Sequence, residues 1–279
     1  MSFDSSASYI YSSDFNQARV GASVPLGLNM AAGLEVKYVE DKFPIAQGAK
    51  KDPVYSLYIP LQFDLEIAKL DITPFYYFKN KTNVPVEQNA TAYGVHTRLT
   101  MSLLKDDVNE VYTQGYLEFA YARQKASVLD NTAWENQYYD QAAFTLGVRQ
   151  NFYSSFLFQV AATAYQYPDG ISHVDGFSGV LDQKDLAFVQ SYDVSRALGK
   201  YALSTRLARL WASNQSSLYI GYHYAESYTA DPQHSVLIGN TFRIGEHIYM
   251  DMAYNHLQST NSSDRNKRDL FFVNMHVSF

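Results

Sequence analysis

The chain has 279 residues, a formal net charge of −6 and no cysteine, and 15% of its residues are aromatic. The acidic balance argues against a nucleic-acid partner. A mean hydropathy of −0.27, without a long apolar run, excludes transmembrane helices. Because no Pro-, Gly- or Ser-rich linker or block of like charge divides the sequence, we predict a single domain over residues 1–279.

Alternation of apolar and polar residues recurs along the chain. A side-chain period of two is typical of a β-strand with one apolar and one polar face. Fourteen segments show it, in chain order: 5–12, 17–24, 30–38, 55–63, 68–78, 93–101, 114–121, 141–149, 156–164, 201–207, 218–224, 236–243, 248–255 and 269–279. The sequence therefore predicts an all-β antiparallel protein of about fourteen strands.

The predicted connections alternate in length. Turns of about three to five residues alternate with longer polar segments, among them 43–53, 80–88, 125–137, 167–199 and 261–268. Residues 186–197 also alternate, and a strand there would require sixteen strands in place of fourteen. We interpret them as part of the longest loop, lying over or inside the mouth of a barrel.

The final segment shows the clearest pattern, because its apolar positions continue to the last residue of the chain. These positions are Phe271, Val273, Met275, Val277 and Phe279. The segment resembles the closing strand of bacterial outer-membrane β-barrels, which alternates in the same way and ends in Phe. The resemblance implies a closed transmembrane β-barrel in the outer membrane, with short periplasmic turns, longer extracellular loops and both termini periplasmic. It also implies that the barrel-assembly machinery recognises the strand that ends in Phe279.

No signal peptide is present at the start of the sequence. An exported protein with this sequence is expected to carry further residues upstream of Ser2. These would be either a signal or a periplasmic domain, and such a domain or a plug would be a partner of the barrel.

One face of the predicted strands is almost free of charge, with Asn240 and Thr205 as its main polar residues. A Lys or Arg facing lipid at mid-membrane costs about 2–4 kcal/mol, so this pattern favours a face that contacts outer-membrane lipid. Aromatic residues near strand ends are typical of girdles at the headgroup level. The alternative is a soluble β-sandwich, whose inner faces would show the same alternation.

The opposite face is polar and is predicted to line a lumen. Arginines fall on strands that run one way and carboxylates on strands that run the other, so neighbouring strands bring opposite charges together. These pairs could stabilise the wall, set ion or solute preference, or do both. The predicted lumen and selectivity residues are Arg19, Glu35, Lys37, Lys69, Asp71, Arg98, Glu118, Arg149, Arg206, Arg243 and Asp251. Glycines on the same rows are consistent with an open bore or with wall curvature.

Catalytic patterns are weak. His256 and Ser259 are similar to the His and Ser of outer-membrane lipid hydrolases, but those residues stand two apart on one strand face. A spacing of three puts His256 and Ser259 on opposite faces of a regular strand. His276 and Ser278 are expected to be a polar pair in the lumen. No ligand spacing suggests a metal site, and we predict no enzyme activity, cofactor or metal.

In length and strand number the chain resembles OmpG-type monomeric porins, which implies passive passage of ions and small hydrophilic solutes. Its last hairpin, residues 259–279, also resembles the carboxy-terminal barrels of larger export proteins. That resemblance implies an export pore for exopolysaccharide or secreted polypeptide. A surface adhesion or receptor barrel is a third hypothesis.

Overall fold

The computed structural model describes residues 4–12, 15–45, 48–79, 88–108, 110–130, 133–153, 155–170, 181, 198–211, 216–228, 231–245, 247–259 and 267–278. These residues form one antiparallel sheet of fifteen strand segments. None of them belongs to a helix long and apolar enough to cross a bilayer.

Each predicted strand corresponds to a strand of the structure, although the boundaries differ. The strands are β1 (Asp4–Tyr11), β2 (Phe15–Pro25), β3 (Met30–Ile45), β4 (Gly48–Tyr58), β5 (Leu61–Asp64), β6 (Ala68–Lys79), β7 (Gln88–Asp106), β8 (Val111–Asp130), β9 (Ala133–Phe152), β10 (Phe156–Gln166), β11 (Gly199–Trp211), β12 (Ser216–Ser227), β13 (Gln233–Ile244), β14 (Ile248–Ser259) and β15 (Lys267–Ser278).

The sheet closes into a barrel through its first and last strands. β1 pairs with β15 in a continuous register from Asp4 opposite Ser278 to Tyr11 opposite Phe271, and its other side pairs with β2. Closure gives each strand a hydrogen-bonded neighbour on both sides and removes the exposed edges of an open sheet.

The segments β4 and β5 occupy a single position in the barrel wall. Both lie between β3 and β6, and they are separated only by Ile59 and Pro60. Pro60 has no N–H for the ladder, although its carbonyl accepts a hydrogen bond from Gly33 N at 2.8 Å. The fifteen segments therefore make the fourteen strands that the sequence predicts.

The two ends of the barrel differ. The end that we call the turn rim holds both described chain ends and the links 26–29, 65–67, 107–110, 153–155, 212–215 and 245–247. The opposite end, the loop rim, holds links as short as residues 46–47 and as long as residues 167–198.

Two predicted loops are wrong. Residues 43–53 and 125–137 belong mostly to strands, because the hairpins β3–β4 and β8–β9 continue far past the apolar band. Their sequence is polar and lacks a clear period of two, so the pattern does not identify them as strands. The predicted loops 80–88 and 261–268 lie almost entirely outside the described residues, and so does the alternating segment 186–197.

The apolar face points outwards, as predicted. Large side chains exposed on it include Val20, Leu34, Leu117, Leu146, Leu203, Leu218, Ile238 and Val273. Exposed aromatics lie towards both ends of the band, Tyr93, Tyr138 and Tyr254 near the loop rim and Tyr153 and Trp211 near the turn rim. This is the arrangement expected of two aromatic girdles.

At the loop rim, outward-facing charges begin at the level of the girdle, where Arg123 is in register with Tyr93. Near the turn rim, Arg209 on β11 also faces outwards. Arg123 donates hydrogen bonds from Nε and Nη2 to the two carboxylate oxygens of Asp140, both at 2.7 Å. His256 Nδ1 lies 2.7 Å from Asp269 Oδ1. The hydrogen bonds from Arg123 hold the pKa of Asp140 below its ordinary value, and those from His256 and then Tyr254 lower the pKa of Asp269. The pairs mark the upper limit of the apolar band.

The inner face is less polar than predicted. A buried apolar cluster runs along the inner wall from β10 through β15 to β1, and it contains Ile10, Leu157, Ala208, Tyr219, Leu237, Ala253, Leu270 and Phe272. A second cluster lines β4 to β10. The barrel interior is therefore partly filled by side chains, as in smaller barrels.

Candidate channel lumen

A cavity of about 270 Å³ lies inside the barrel, on the side formed by β1 to β10. Its lining extends from Asp4 and His276 near the turn rim to Tyr165 and Leu181 towards the loop rim. Five of the predicted lumen residues line it, namely Arg19, Glu35, Asp71, Arg98 and Glu118. On this side of the barrel these charged residues face an internal space. Their role in selectivity stays a prediction.

Two ion pairs face this cavity from different parts of the wall. Arg19 on β2 pairs with Glu35 on β3, and Arg98 on β7 pairs with Glu118 on β8. Arg98 and Glu118 are directly opposite in the strand register, which is the cross-strand arrangement that the sequence predicts. Charge-assisted hydrogen bonds of this kind are stronger than neutral ones.

Aromatic rings accompany the ion pairs on the inner wall. Tyr58 lies with its ring centroid 6.0 Å from both Arg19 Cζ and Lys37 Nζ. Its ring is 5.9 Å from that of Phe75, which is 4.9 Å from the ring of His96. Lys37 is thereby buried beside an aromatic face, where a cation is attracted to the ring quadrupole.

Lys69 and Asp71 occupy the same wall closer to the turn rim. Lys69 Nζ lies 3.9 Å from Asp71 Oδ1 and 3.5 Å from Gln62 Oε1. The Lys69 side chain keeps 43% of its surface exposed, so the pair is solvated and contributes little to the stability of the fold.

The other four predicted lumen residues lie on β9 to β14. Arg206 on β11 stacks on the ring of Tyr219, with Cζ 3.6 Å from the ring centroid. Tyr219 donates its hydroxyl hydrogen to Asp251 Oδ1 at 2.6 Å. Arg149 is half-buried on β9, and Arg243 is exposed at the end of β13 near the turn rim. The structure thus places Arg243 at the edge of the lumen.

Sequence reasoning missed the role of the inner tyrosines. Tyr116 and Tyr219 lie flat against the wall and are almost fully buried. Each is in register with a glycine on the next strand, Tyr116 with Gly147 and Tyr219 with Gly239. These glycines make room for rings, so they do not widen the bore as the sequence suggested. An inward tyrosine opposite an inward glycine is the signal that could have revealed the packing.

The long connection between β10 and β11 enters the barrel. Leu181, its one described residue between 171 and 197, is buried against Ala120, Ala143 and Tyr165 on the inner wall and lines the cavity. The interpretation that residues 167–199 reach into the mouth is consistent with this position.

Both ends of that connection are held by tyrosines. Tyr139 donates its hydroxyl hydrogen to Gly170 O at 3.0 Å, and Tyr167 donates to Gly199 O at 2.8 Å. The rings of Tyr139 and Tyr167 are stacked with centroids 5.7 Å apart. The backbone N–H of Tyr228 donates to Leu198 O at 2.8 Å. The two ends of the connection are therefore fixed to each other and to β9 and β12.

The structure places the two residues of the lipid-hydrolase pattern on opposite faces of β14, as their spacing predicts. His256 points outwards to Asp269, whereas Ser259 is buried on the inner side of the same strand. The pair therefore cannot act together on one substrate. Among the residues that the structure describes, no group of three or more His, Asp or Glu side chains could hold a metal ion.

No protein-family model matches the chain, and no curated protein matches its sequence. Solved structures do match. CdiB from Acinetobacter baumannii is 10% identical with a TM-score of 0.58, and the match covers all of this chain but 60% of CdiB. CymD, described as a monoaromatic hydrocarbon channel, is 9% identical with a TM-score of 0.56, over 99% of this chain and 87% of CymD.

Pseudomonas putida OprB is 7% identical with a TM-score of 0.51, over 100% of this chain and 93% of OprB. At such low identity the likeness establishes the fold alone. The chain is an all-β antiparallel closed barrel of fourteen strands, and it shares this architecture with outer-membrane β-barrel proteins.

Proposed function

We propose that the protein is an integral outer-membrane channel for passive passage of ions and small hydrophilic solutes. The observation that carries the proposal is the closed cylinder with an apolar band outside that is almost free of charge and a cavity lined by charged pairs inside. Charged side chains that face an aqueous bore impose ion and solute preference. The eleven predicted lumen residues are the proposed determinants of that preference.

The proposed orientation places the turn rim and both chain ends in the periplasm. Outer-membrane barrels have short periplasmic turns and longer outer loops, and the longest links of this barrel, 80–87 and 167–198, lie at the loop rim. The apolar band would contact outer-membrane lipid. Biotinylation of a single cysteine introduced at residue 27 or at residue 84 in intact cells tests the orientation, because only the outer site should react.

The barrel-assembly machinery is the proposed partner during biogenesis. The alternation of apolar and polar residues in β15 continues to Val277, and its apolar face points outwards. Removing the aromatic end with Phe279→Ala should lower the amount of folded protein in the outer membrane. Normal levels of the folded variant would contradict this proposal.

Single-channel recording in planar bilayers tests the central proposal. We expect discrete conductance steps from the purified, refolded protein. The loop can be tested by replacing residues 171–197 with a short Gly-Ser linker, which keeps the Tyr167 and Gly199 contacts that hold its ends. This deletion should raise conductance, because it removes Leu181 from the cavity.

Shortening the link 80–87 at the same rim is the matched control and should leave conductance nearly unchanged. If neither the full chain nor the deletion variant conducts ions, the channel proposal is wrong. If both conduct equally, the barrel is a channel that the loop does not constrict.

A further inference from the structure

Two polar side chains lie on the outward face of the barrel near the turn rim. Arg209 on β11 and Asn240 on β13 are both exposed at outward positions of their strands. In the strand register Leu218 on β12 is opposite both of them. Adjacent strands are about 4.8 Å apart, so the Cα atoms of Arg209 and Asn240 are separated by about 10 Å. The two side chains therefore flank one patch of the outer wall.

The surface around the two polar residues is apolar. The exposed neighbours on the same and the adjacent strands are Phe156, Leu207, Leu218, Ile238 and Met252. A guanidinium on such a surface faces lipid, where its cost in free energy is large at the bilayer centre and small near the interfaces. An ionisable side chain in this position therefore calls for a partner of opposite charge.

No such partner is found in the part of the chain that the structure describes. There, neither Arg209 nor Asn240 makes a hydrogen bond or an ion pair. The described outward positions of β10 to β14 in the half nearer the turn rim also include no carboxylate. The loop rim differs, because Arg123 is paired there with Asp140. The charge of Arg209 is therefore available to a group outside the chain.

The position of Arg209 along its strand places it close to the lipid headgroups. Trp211, two residues further along β11, is 43% exposed and lies near the turn rim, where aromatic residues mark the headgroup level. At about 3.3 Å per residue, the Cα atoms of the two residues are about 7 Å apart. Arginine lays its apolar stem along such a surface and extends its charged group towards water. The guanidinium therefore reaches the layer of lipid phosphates beside the indole of Trp211.

We propose that Arg209, Asn240 and Trp211 form a binding site for the phosphodiester group of an anionic phospholipid in the leaflet at the turn rim. The guanidinium fork matches two oxygens of a phosphate, and the Asn240 amide donates a further hydrogen bond from the other side of Leu218. A zwitterionic phospholipid also carries an ammonium group, for which the described outward residues here offer no carboxylate. Phosphatidylglycerol is therefore preferred to phosphatidylethanolamine. The site rests on the proposed membrane location and assigns a particular lipid to one place on the outer wall.

The fluorescence of Trp211 tests the site locally. The chain has two tryptophans, so Trp134→Phe leaves Trp211 as the only reporter. This protein is reconstituted into bilayers of phosphatidylglycerol and phosphatidylethanolamine, with quenching bromine atoms on the acyl chains of one lipid at a time. At equal mole fractions, brominated phosphatidylglycerol should quench Trp211 more strongly, with a relative affinity about fivefold higher, as expected for one basic residue beside anionic lipid.

Variants in the same Trp134→Phe background separate the contributions. Arg209→Gln should abolish the preference for phosphatidylglycerol, and Arg209→Lys should keep part of it, because Lys retains the charge without the planar fork. Asn240→Leu should weaken the preference less than Arg209→Gln does. Thr205→Val is the matched control, since Thr205 is an outward polar residue of the same strand, about 13 Å from Arg209. Equal quenching by the two lipids before any further change, or an undiminished preference in Arg209→Gln, would overturn the proposal.

Two further measurements distinguish other occupants of the patch. Inorganic phosphate should relieve the quenching no more than potassium chloride does at the same ionic strength, because it has no acyl chain; stronger relief would show a site for free phosphate and overturn the lipid assignment. Analytical ultracentrifugation in detergent should give the same mass for the parent protein and Arg209→Gln. A dimer that Arg209→Gln converts to a monomer would show that the patch binds a second copy of the chain instead.

The outcomes also separate this proposal from the channel itself. A preference for phosphatidylglycerol without conductance refutes the channel and supports the lipid site. Conductance without the preference refutes the lipid site and leaves the channel intact. The heat-dependent gel shift of folded barrels establishes that each variant has folded before it is measured.

Discussion

The ring of Tyr116 lies flat on Gly147 of the neighbouring strand, so closely that a methyl group at position 147 would be 1.9 Å from Cζ of Tyr116. The two residues lie on the inner face of the wall, and the ring covers part of the surface between β8 and β9. A tyrosine in this position cannot shift outwards, because the strand backbone is there. It can move only into the lumen.

Gly147→Ala should therefore displace Tyr116 and destabilise the barrel by about 1–3 kcal/mol, the usual range for overpacking a well-packed site. Urea unfolding of the refolded protein in detergent measures the change. Combining Gly147→Ala with Tyr116→Ala should recover part of the loss. Gly27→Ala, where an added methyl group would have no neighbour within 4 Å, is the control. Equal stability of the Gly147→Ala variant and the wild type would show that the ring is not held there.

The ion pair of Arg98 and Glu118 predicts a change in selectivity. Glu118→Gln leaves the Arg98 charge in the cavity without its carboxylate, so the channel should become more anion-selective. The reversal potential in a KCl gradient measures this. The exchanged pair, Arg98→Glu with Glu118→Arg, restores the balance and should return the potential close to the wild-type value. If the exchanged variant shifts the reversal potential as much as Glu118→Gln does, local charge balance does not set selectivity.

The tyrosine that holds the long connection predicts a change in gating. Tyr167→Phe keeps the ring stack with Tyr139 but removes the hydroxyl that donates to Gly199 O. A hydrogen bond of this kind contributes about 0.5–1.5 kcal/mol, so the ends should separate more often. We expect more frequent transitions between conductance levels in single-channel records. Tyr138→Phe, an exposed tyrosine near the same rim, should behave like the wild type.

The outward-facing pair of Arg123 and Asp140 on the β8–β9 hairpin predicts that the stability of the fold depends on pH. Hydrogen bonds from Arg123 lower the pKa of Asp140 in the folded protein, so ionisation of Asp140 favours folding. The stabilisation is present above the unfolded-state pKa of about 3.9 and is lost as the pH falls through the lower folded-state value. It is small, because exposed ion pairs are screened by solvent.

Thermal unfolding in detergent across pH checks this. Asp140→Asn should lower the Tm at neutral pH by on the order of a degree, and the difference from the wild type should vanish at a pH of about 2–3. Asp64→Asn removes an exposed carboxylate at the turn rim and controls for net charge. A Tm difference that persists unchanged at acid pH would contradict the assignment.

Much of the barrel follows from a single regularity of the sequence. Each strand of the barrel directs large apolar side chains outwards at every second position, so its period of two is clear, as in Leu218, Ile220 and Tyr222. The same reasoning fails beyond the apolar band, where the backbone pairing of the hairpins β3–β4 and β8–β9 continues. No alternation of apolar and polar residues is required there, so the sequence pattern does not predict these strands.

The interior was less predictable for a related reason. Opposite charges on neighbouring strands, such as Arg98 and Glu118, can be paired once the strand order is known. The register that brings Tyr116 onto Gly147, or Arg149 and Arg206 to either side of Gln159, depends on shifts of single residues between strands. A one-residue shift reverses every inward and outward position, and the sequence alone does not specify the shift for each hairpin.

The ladder between β1 and β15 has a kinetic consequence. Ser5 Oγ donates a hydrogen bond to Val277 O, 272 positions along the chain. The backbone groups of β1 therefore cannot pair with β15 until β15 has been synthesised. The seam is the step with the greatest loop-closure entropy, and formation of the cylinder should be slow and all-or-none. Joining the two ends covalently and opening the chain at a turn-rim link would relocate that step, and it would convert the slowest pairing into a local hairpin.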